Sequence, residues 1–332
     1  MNLRVLEGAA RGLLLKKRVP ISVGFTITHK CNFLCAYCDS PLHKEYEMTL
    51  DEIRGMIDAF AGMGAARLGI TGGEPLLKKE LPAVVDHAHE RGLAVSVLTN
   101  GSLVPEILDT LAKFDHVILS LEGFEESHDA LRGKGTWRKA HAGLQAALDR
   151  GIPLWVECVL TRDSRPKVEY LLEEAKRGGF SLLVQPVFSY PLAASQERVD
   201  ALAPEIEEIR SLLGWLADRK RAGDPVAGSQ SYFDYLKGAY PRGVYPNCNA
   251  GHLFCSVSPG GDVAPCHFLI RERPWPNGLK LGFERAFELA SDNTCNGCFC
   301  NTYMEINLAA DFRVEAAMNL LRSSQAWSRD GS

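Results

Sequence analysis

The 332-residue chain has no apolar stretch of about 18 residues and no apolar segment followed by a secretory cleavage site. Those absences remove the sequence grounds for a membrane-spanning helix or for export, and a cytoplasmic location is expected. Long runs of lysine and arginine are also missing, and the net charge is −4, so nucleic acid is not the default partner. No internal repeat and no low-complexity tract interrupts the chain. What is there is 46% hydrophobic, enough for one large domain or for a large and a small one. Near the start, Leu13–Arg18 is apolar and then basic. A helix lying on a membrane surface has that character. A short helix packed under the first strand is the preferred reading, and residues 1–20 are assigned to it.

Cysteine is plentiful, with ten in all. Without an export signal, that number argues for metal binding rather than disulfides. Cys31, Cys35 and Cys38 form the run C-N-F-L-C-A-Y-C, or C-x3-C-x2-C, just after an apolar-rich stretch. Three thiolates this close can ligate one metal centre. A structural zinc ion would need a fourth ligand such as His43. A disulfide is a further meaning of C-x2-C. A four-iron cluster held by three thiolates would leave one iron open to bind and activate something.

Apolar, β-rich runs alternate with amphipathic stretches. Strands are predicted near Ser22–Ile27, Arg67–Thr71, Ala94–Thr99, His116–Ser120, Leu154–Leu160 and Ser181–Pro186. Helices are predicted near Leu50–Gly62, Lys79–Arg91, Val104–Lys113, Thr136–Arg150 and Lys167–Arg177, with one more over Leu202–Ala222. Thr49-Leu-Asp-Glu52 is a capping box, and Gly62, Gly92 and Gly151 stand where helices should stop. The alternation implies an α/β fold with a parallel sheet and right-handed crossovers. Six units are too few for a closed eight-fold barrel, so a partial (β/α)6 TIM-like barrel is expected. In such folds the chemistry sits at the carboxyl ends of the strands. The expected organisation is a barrel over residues 21–190, a helical linker over 191–245, a cysteine-rich domain over 246–310 and a C-terminal helix and tail over 311–332.

The other strand ends carry suggestive residues too. Thr71-Gly-Gly-Glu-Pro75 follows strand two, where two glycines let the backbone approach a ligand and Glu74 could accept from an ammonium group. Thr99-Asn-Gly101 follows strand three, and Ser120-Leu-Glu-Gly123 follows strand four. Arg132 could pair a carboxylate in a fork, or form only a surface ion pair worth little.

Taken together, these segments resemble the radical S-adenosylmethionine (SAM) enzymes over roughly residues 20–190. The C-x3-C-x2-C run with Tyr37 before its last cysteine is similar to the family signature, and Gly-Gly-Glu-Pro to its second motif. The resemblance implies that Cys31, Cys35 and Cys38 hold a [4Fe–4S] cluster whose open iron chelates SAM. Reductive cleavage would then give a 5′-deoxyadenosyl radical that abstracts a substrate hydrogen, the cofactor supplying the hard chemistry. It further implies SAM contacts from Tyr37, Gly72, Gly73, Glu74, Asn100, Ser120, Glu122 and Arg132. Glu74 should meet the methionine amino end, Ser120 the ribose and Arg132 the carboxylate. Many relatives read Ser-x-Asp-Gly at strand four, and the longer Glu122 departs from that pattern.

The C-terminal part resembles the auxiliary-cluster extension called SPASM, or its shorter form, twitch. Pro259-Gly-Gly-Asp-Val-Ala-Pro-Cys266 is read as a tight hairpin placing Cys266 beside Cys248. Only Cys300 follows Cys295-Asn-Gly-Cys298, so the twitch form fits better. Its expected [4Fe–4S] ligands are Cys248, Cys266, Cys295 and Cys298, a closed set suited to electron transfer. A four-cysteine zinc site is the bland alternative. Cys255 and Cys300 are left over, either as small buried hydrophobes or as a hydrogen donor or alternative ligand.

The family does not fix the substrate. A small molecule, a lipid or sugar intermediate and a peptide are all open, with an auxiliary cluster handling an electron and a flavodoxin or ferredoxin as donor. The short segment before strand one lowers the expectation of a fused leader-binding domain. A ribosomal-peptide maturase working with a separate leader-binding partner is the alternative, as is a non-catalytic iron–sulfur protein. No catalytic acid or base is assigned. His252, His267, Tyr303 and Glu305 lie near the C-terminal cysteines and are expected to be packing or surface residues.

Overall fold

The computed structural model describes residues 17–188, 193–241, 243, 245–290, 295 and 298–325. Residues 17–20 run without regular structure, and the rest of the expected lead-in helix lies outside the described residues.

Six strands stand side by side in chain order: β1 (Ser22–Thr28), β2 (Arg67–Gly72), β3 (Ala94–Thr99), β4 (His116–Ser120), β5 (Leu154–Leu160) and β6 (Ser181–Pro186). Each pairs in parallel with the next. Helices cover the crossovers: α1 (Leu50–Gly62), α2 (Leu81–Glu90), the short α3 (Leu108–Leu111), α4 (Glu125–Arg132), α5 (Thr136–Asp149) and α6 (Ser164–Gly178). Six of the seven residues of β1 are buried, as expected for a strand covered on both faces. The capping box of α1 forms, with the Thr49 amide donating to Glu52 Oε2 at 2.7 Å and the Glu52 amide to Thr49 Oγ1 at 3.4 Å.

Four local expectations are corrected. Gly62 is the last residue of α1, and the positive φ of 98° that ends the turn belongs to Gly64. The helix expected over Val104–Lys113 is a 3-10 turn at Val104–Glu106 and then α3, broken at Ile107. The helix expected over Leu202–Ala222 forms but begins later, as α8 (Ile206–Arg221), and an unexpected helix, α7 (Gln196–Leu202), precedes it. Pro204 separates them by forcing Ala203 into an extended conformation, ψ 134°. Finally, α4 forms where a loop was expected, and it carries Arg132.

After α9 (Gln230–Ala239) the chain returns to the same sheet. β7 (Phe254–Val257) pairs in parallel with β1, Val23 opposite Cys255 and Gly24 opposite Ser256. β8 (Val263–Ala264) then pairs antiparallel with β7 as the expected hairpin. The sheet therefore has eight strands in the order β6-β5-β4-β3-β2-β1-β7-β8. Among the described residues four helices follow: α10 (Gly278–Leu281), α11 (Phe283–Leu289), α12 (Asn301–Ala310) and α13 (Val314–Gln325). α12 packs close to β1. A Cβ on Gly24 would lie 2.8 Å from the Tyr303 hydroxyl, which itself bonds Ser256 Oγ at 2.9 Å.

Candidate active site

The segment after β1 is shaped by backbone contacts before any ligand is considered. The amides of Gly73 and Glu74 donate to the carbonyls of Thr28 and Lys30, both at 2.8 Å. A Cβ on Gly72 would stand 2.2 Å from the Thr28 oxygen, and one on Gly73 2.2 Å from the Lys30 oxygen. Only glycine fits at either place, and Gly72 also has φ 141°. The Gly-Gly turn thus seats the cysteine loop. The loop is closed on its far side by Ala36 donating to the Leu131 carbonyl at 2.7 Å and Ala194 donating to that of Tyr37 at 2.9 Å.

Cys31, Cys35 and Cys38 are free, half-buried thiols that line one cavity. Burial pushes all three thiols above the ordinary range. The cavity, of about 290 Å³, is also lined by Tyr37, Gly72, Gly73, Asn100, Ser120 and Arg132. Asn100 reaches back towards the loop, donating from Nδ2 to Asn32 Oδ1 at 2.8 Å and lying 3.8 Å from Cys31 Sγ.

Two of the expected SAM contacts do not line the cavity. Glu74 is wholly buried, and its oxygens accept from the Leu76 amide at 3.0 Å, the Thr99 hydroxyl at 2.8 Å and the Asn100 amide at 2.7 Å. Burial raises its carboxyl against the pull of these donors. In place of an open acceptor for an ammonium group, Glu74 ties the end of β2 to the end of β3. Glu122 is likewise wholly buried. Oε1 accepts from Arg132 Nε at 2.9 Å, Arg132 Nη2 at 2.7 Å and the Tyr37 hydroxyl at 2.8 Å, while Oε2 accepts from the Val159 amide at 2.9 Å. Burial works to raise this carboxyl, but the Arg132 guanidinium and Lys167 outweigh it and hold it low. The extra methylene of Glu122 carries its carboxylate away from the cavity and onto Arg132. Arg132 sits 5.6 Å over the Tyr37 ring and still borders the cavity.

Deeper down, the cavity floor is built from small residues, Gly24, Gly69 and Ser96, and its walls include Glu157 and Gln185. The far side comes from the C-terminal part: His267, Phe268, Cys300 and the first turn of α12. His267 and Tyr303 are therefore wall residues of the cavity. Burial lowers the His267 imidazole to about 4 and keeps it neutral. Glu305 is buried in neither cavity and accepts from the Ser229 amide at 2.5 Å. His252 lines neither cavity, and its carbonyl accepts from the Val19 amide. Glu157 was missed in the sequence. Its one signal was an acid in the middle of the apolar strand Leu154-Trp-Val-Glu-Cys-Val-Leu160.

Cys248, Cys266, Cys295 and Cys298 line a second, small cavity with Ala250, Phe254, Phe268, Leu269 and Tyr303. Phe268 and Tyr303 belong to both cavities and form the wall between them. Cys300 faces the first cavity, and Cys255 is fully buried in β7. Among the described residues, no three His, Cys, Asp or Glu side chains converge on a single ion position. Both thiol sets stand around a space instead. Soft thiol donors spread around a hollow fit an iron–sulfur cluster better than one tetrahedral zinc ion, so both donor sets fit the group expected of them.

The comparisons with known proteins agree with this geometry. A model of the radical SAM superfamily matches residues 25–175. The mycofactocin maturase MftC of Mycolicibacterium smegmatis is 30% identical over 280 residues, 81% of this chain and 69% of MftC. A PqqA peptide cyclase of Xanthomonas campestris pv. campestris is 30% identical over 258 residues, 75% of this chain and 67% of the cyclase. The solved structure of Streptococcus suis SuiB bound to precursor peptide SuiA has a TM-score of 0.67 at 14% identity, covering 87% of this chain and 68% of SuiB. No helix among the described residues is long and apolar enough to cross a membrane. The chain belongs to the radical SAM superfamily, as a partial barrel that continues into a SPASM-type C-terminal extension.

Proposed function

We propose that this radical SAM enzyme is a peptide maturase. The observation that carries the reading is the pair of sequence relatives, a mycofactocin maturase and a PqqA peptide cyclase, aligned over three quarters or more of the chain. SuiB, of like fold, is solved with a precursor peptide bound. These relatives favour a peptide over the small-molecule or lipid and sugar substrates that the sequence left open.

On this reading Cys31, Cys35 and Cys38 hold the SAM-binding [4Fe–4S] cluster, and Gly72, Gly73, Asn100, Ser120 and Arg132 line the SAM site. When bound, the cluster and SAM supply a 5′-deoxyadenosyl radical for hydrogen abstraction. Glu74 and Glu122 act as positioning residues. Glu74 fixes Asn100 against the cysteine loop, and Glu122 fixes Arg132 and Tyr37 at its side. Cys248, Cys266, Cys295 and Cys298 hold an auxiliary [4Fe–4S] cluster behind the Phe268–Tyr303 wall. A flavodoxin or ferredoxin is the proposed electron donor, and a separate leader-binding protein the proposed helper.

Anaerobic reconstitution should give about eight irons per chain, and about four when Cys31, Cys35 and Cys38 are all replaced by alanine. Four irons with one zinc in the wild type would sink the auxiliary cluster. The reduced enzyme, given SAM and precursor peptides encoded beside its gene, should change the mass of one of them and release 5′-deoxyadenosine. Peptides left unchanged under conditions where a small metabolite is converted would overturn the maturase reading.

A further inference from the structure

We infer that Glu157 is a catalytic residue, the group that takes a proton from the substrate inside the barrel cavity. The inference deepens the maturase reading and depends on it for the nature of the substrate.

The first observation is position. Glu157 lies mid-strand on β5, between Ser120 of β4 and Leu183 of β6 in register. Together with Val159 it lines the cavity that the cysteine loop and the first turn of α12 also line. The second observation is the state of its carboxylate. Glu74 has three internal donors and Glu122 four. Glu157 has no side-chain hydrogen bond and no ion pair among the described residues. Glu157 is half-buried and its carboxylate is open to the cavity, where a ligand can meet it.

The third observation is the surroundings. The nearest cation, Arg132, is committed to Glu122 by two hydrogen bonds. Glu122 itself faces Glu157 as a second negative charge, Tyr232 of α9 and Cys300 before α12 also feel its charge, and Tyr37, His267 and Tyr303 line the same cavity. Burial first, with Glu122 against the pull of Arg132, raises the Glu157 carboxyl to about 7. Such a group is half ionised at neutral pH, the condition that suits a general base.

The step is a proton transfer. An N–H or O–H bond of the substrate breaks and its electron pair stays on nitrogen or oxygen. A new O–H bond forms on the Glu157 carboxylate, and the negative charge moves to the substrate. A substrate presenting such a donor beside the carbon that loses its hydrogen atom would fit. A fully aliphatic segment would not.

The test uses Glu157→Gln beside the wild type. Infrared difference titration of the two proteins, before any metal is added, should show one carboxyl that titrates near neutral pH only in the wild type. A Glu157 that stays ionised down to pH 5 would overturn the inference. After reconstitution, SAM binding and 5′-deoxyadenosine release without peptide are measured for both proteins, so that product formed with peptide is read per 5′-deoxyadenosine released. SAM binding weakened about tenfold or more would make Glu157 a SAM ligand and overturn its role as base. With a peptide that the wild type converts, the variant should lose product about 100-fold or more while still releasing 5′-deoxyadenosine. Equal product yields overturn the inference. A wild type that neither binds SAM nor cleaves it strikes the functional reading instead, and the infrared titration separates the two failures.

Discussion

At the scale of single residues, the site is held by two buried carboxylates that do opposite jobs. Glu74 is neutralised by hydrogen-bond donors and Glu122 by a cation. Arg132→Met leaves the Glu122 carboxylate buried and unpaired, and breaking pairs of this kind costs about 3–5 kcal/mol, readable by urea unfolding of the metal-free chain. The double variant Glu122→Gln with Arg132→Met should recover much of that loss, because neither charge is then stranded. His128 lies beside them. Its Nδ1 accepts from the Glu122 amide at 3.1 Å, and burial lowers the imidazole to about 4. A folded-state value below the unfolded one means that stability is full above about pH 6.5 and lost as pH falls through about 4. Thermal melts should therefore fall across that acid window by more in the wild type than in His128→Gln. Glu157 has the opposite sign. Its raised carboxyl leaves stability full below about pH 4.5 and lost as pH rises through about 7, so Glu157→Gln should gain on the wild type between pH 5 and 8.

At the scale of elements, most strands were legible because period and punctuation agreed. β3, β4, β5 and β6 have the ends that their apolar runs and flanking turns predict. Helix boundaries moved where a single residue outvoted the pattern, the start of α8 at Pro204 and the break at Ile107. α4 was hidden because Glu125-Glu-Ser-His-Asp129 is polar and offers no apolar stripe to read. In the site, the cysteines and the Gly-Gly turn were legible as motifs. The inward turn of Glu74 and Glu122 was not, since a carboxylate beside a motif looks the same in sequence whether it meets a ligand or a neighbour. Glu157 gave only a faint signal for a related reason: the acid in the strand is visible, but only the sheet shows which side of β5 faces the cavity. The Gly-Gly turn makes an element-level prediction. Gly73→Ala places a methyl against the Lys30 carbonyl and must push the cysteine loop away. Reconstituted protein should then hold about four irons rather than eight, with the loss confined to the SAM-binding site.

At the scale of the molecule, the C-terminal hairpin extends the barrel sheet. β7 shares backbone hydrogen bonds with β1, and α12 packs against both through Tyr303. Pieces that share a sheet open together. Amide exchange should protect Cys255 and Ser256 to the same degree as Val23 and Phe25, and thermal unfolding of the metal-free chain should pass through one transition. Early exchange of β7 with β1 still protected would show two cooperative units.

The β1–β7 pairing also sets a length. One thiol set follows the carboxyl end of β1, while Cys248 before β7 and Cys266 just after β8 lie toward the other end of the same paired strands, so one stretch of sheet separates the two sets. Adjacent strands lie about 4.8 Å apart, and that spacing does not swing as a hinge does. Two paramagnets seated on these cysteine sets would give a single narrow dipolar coupling in pulsed electron resonance, with or without peptide. The sheet then works as a ruler. Adapting this scaffold to a new substrate leaves the interval between the two centres alone and changes the loops around them.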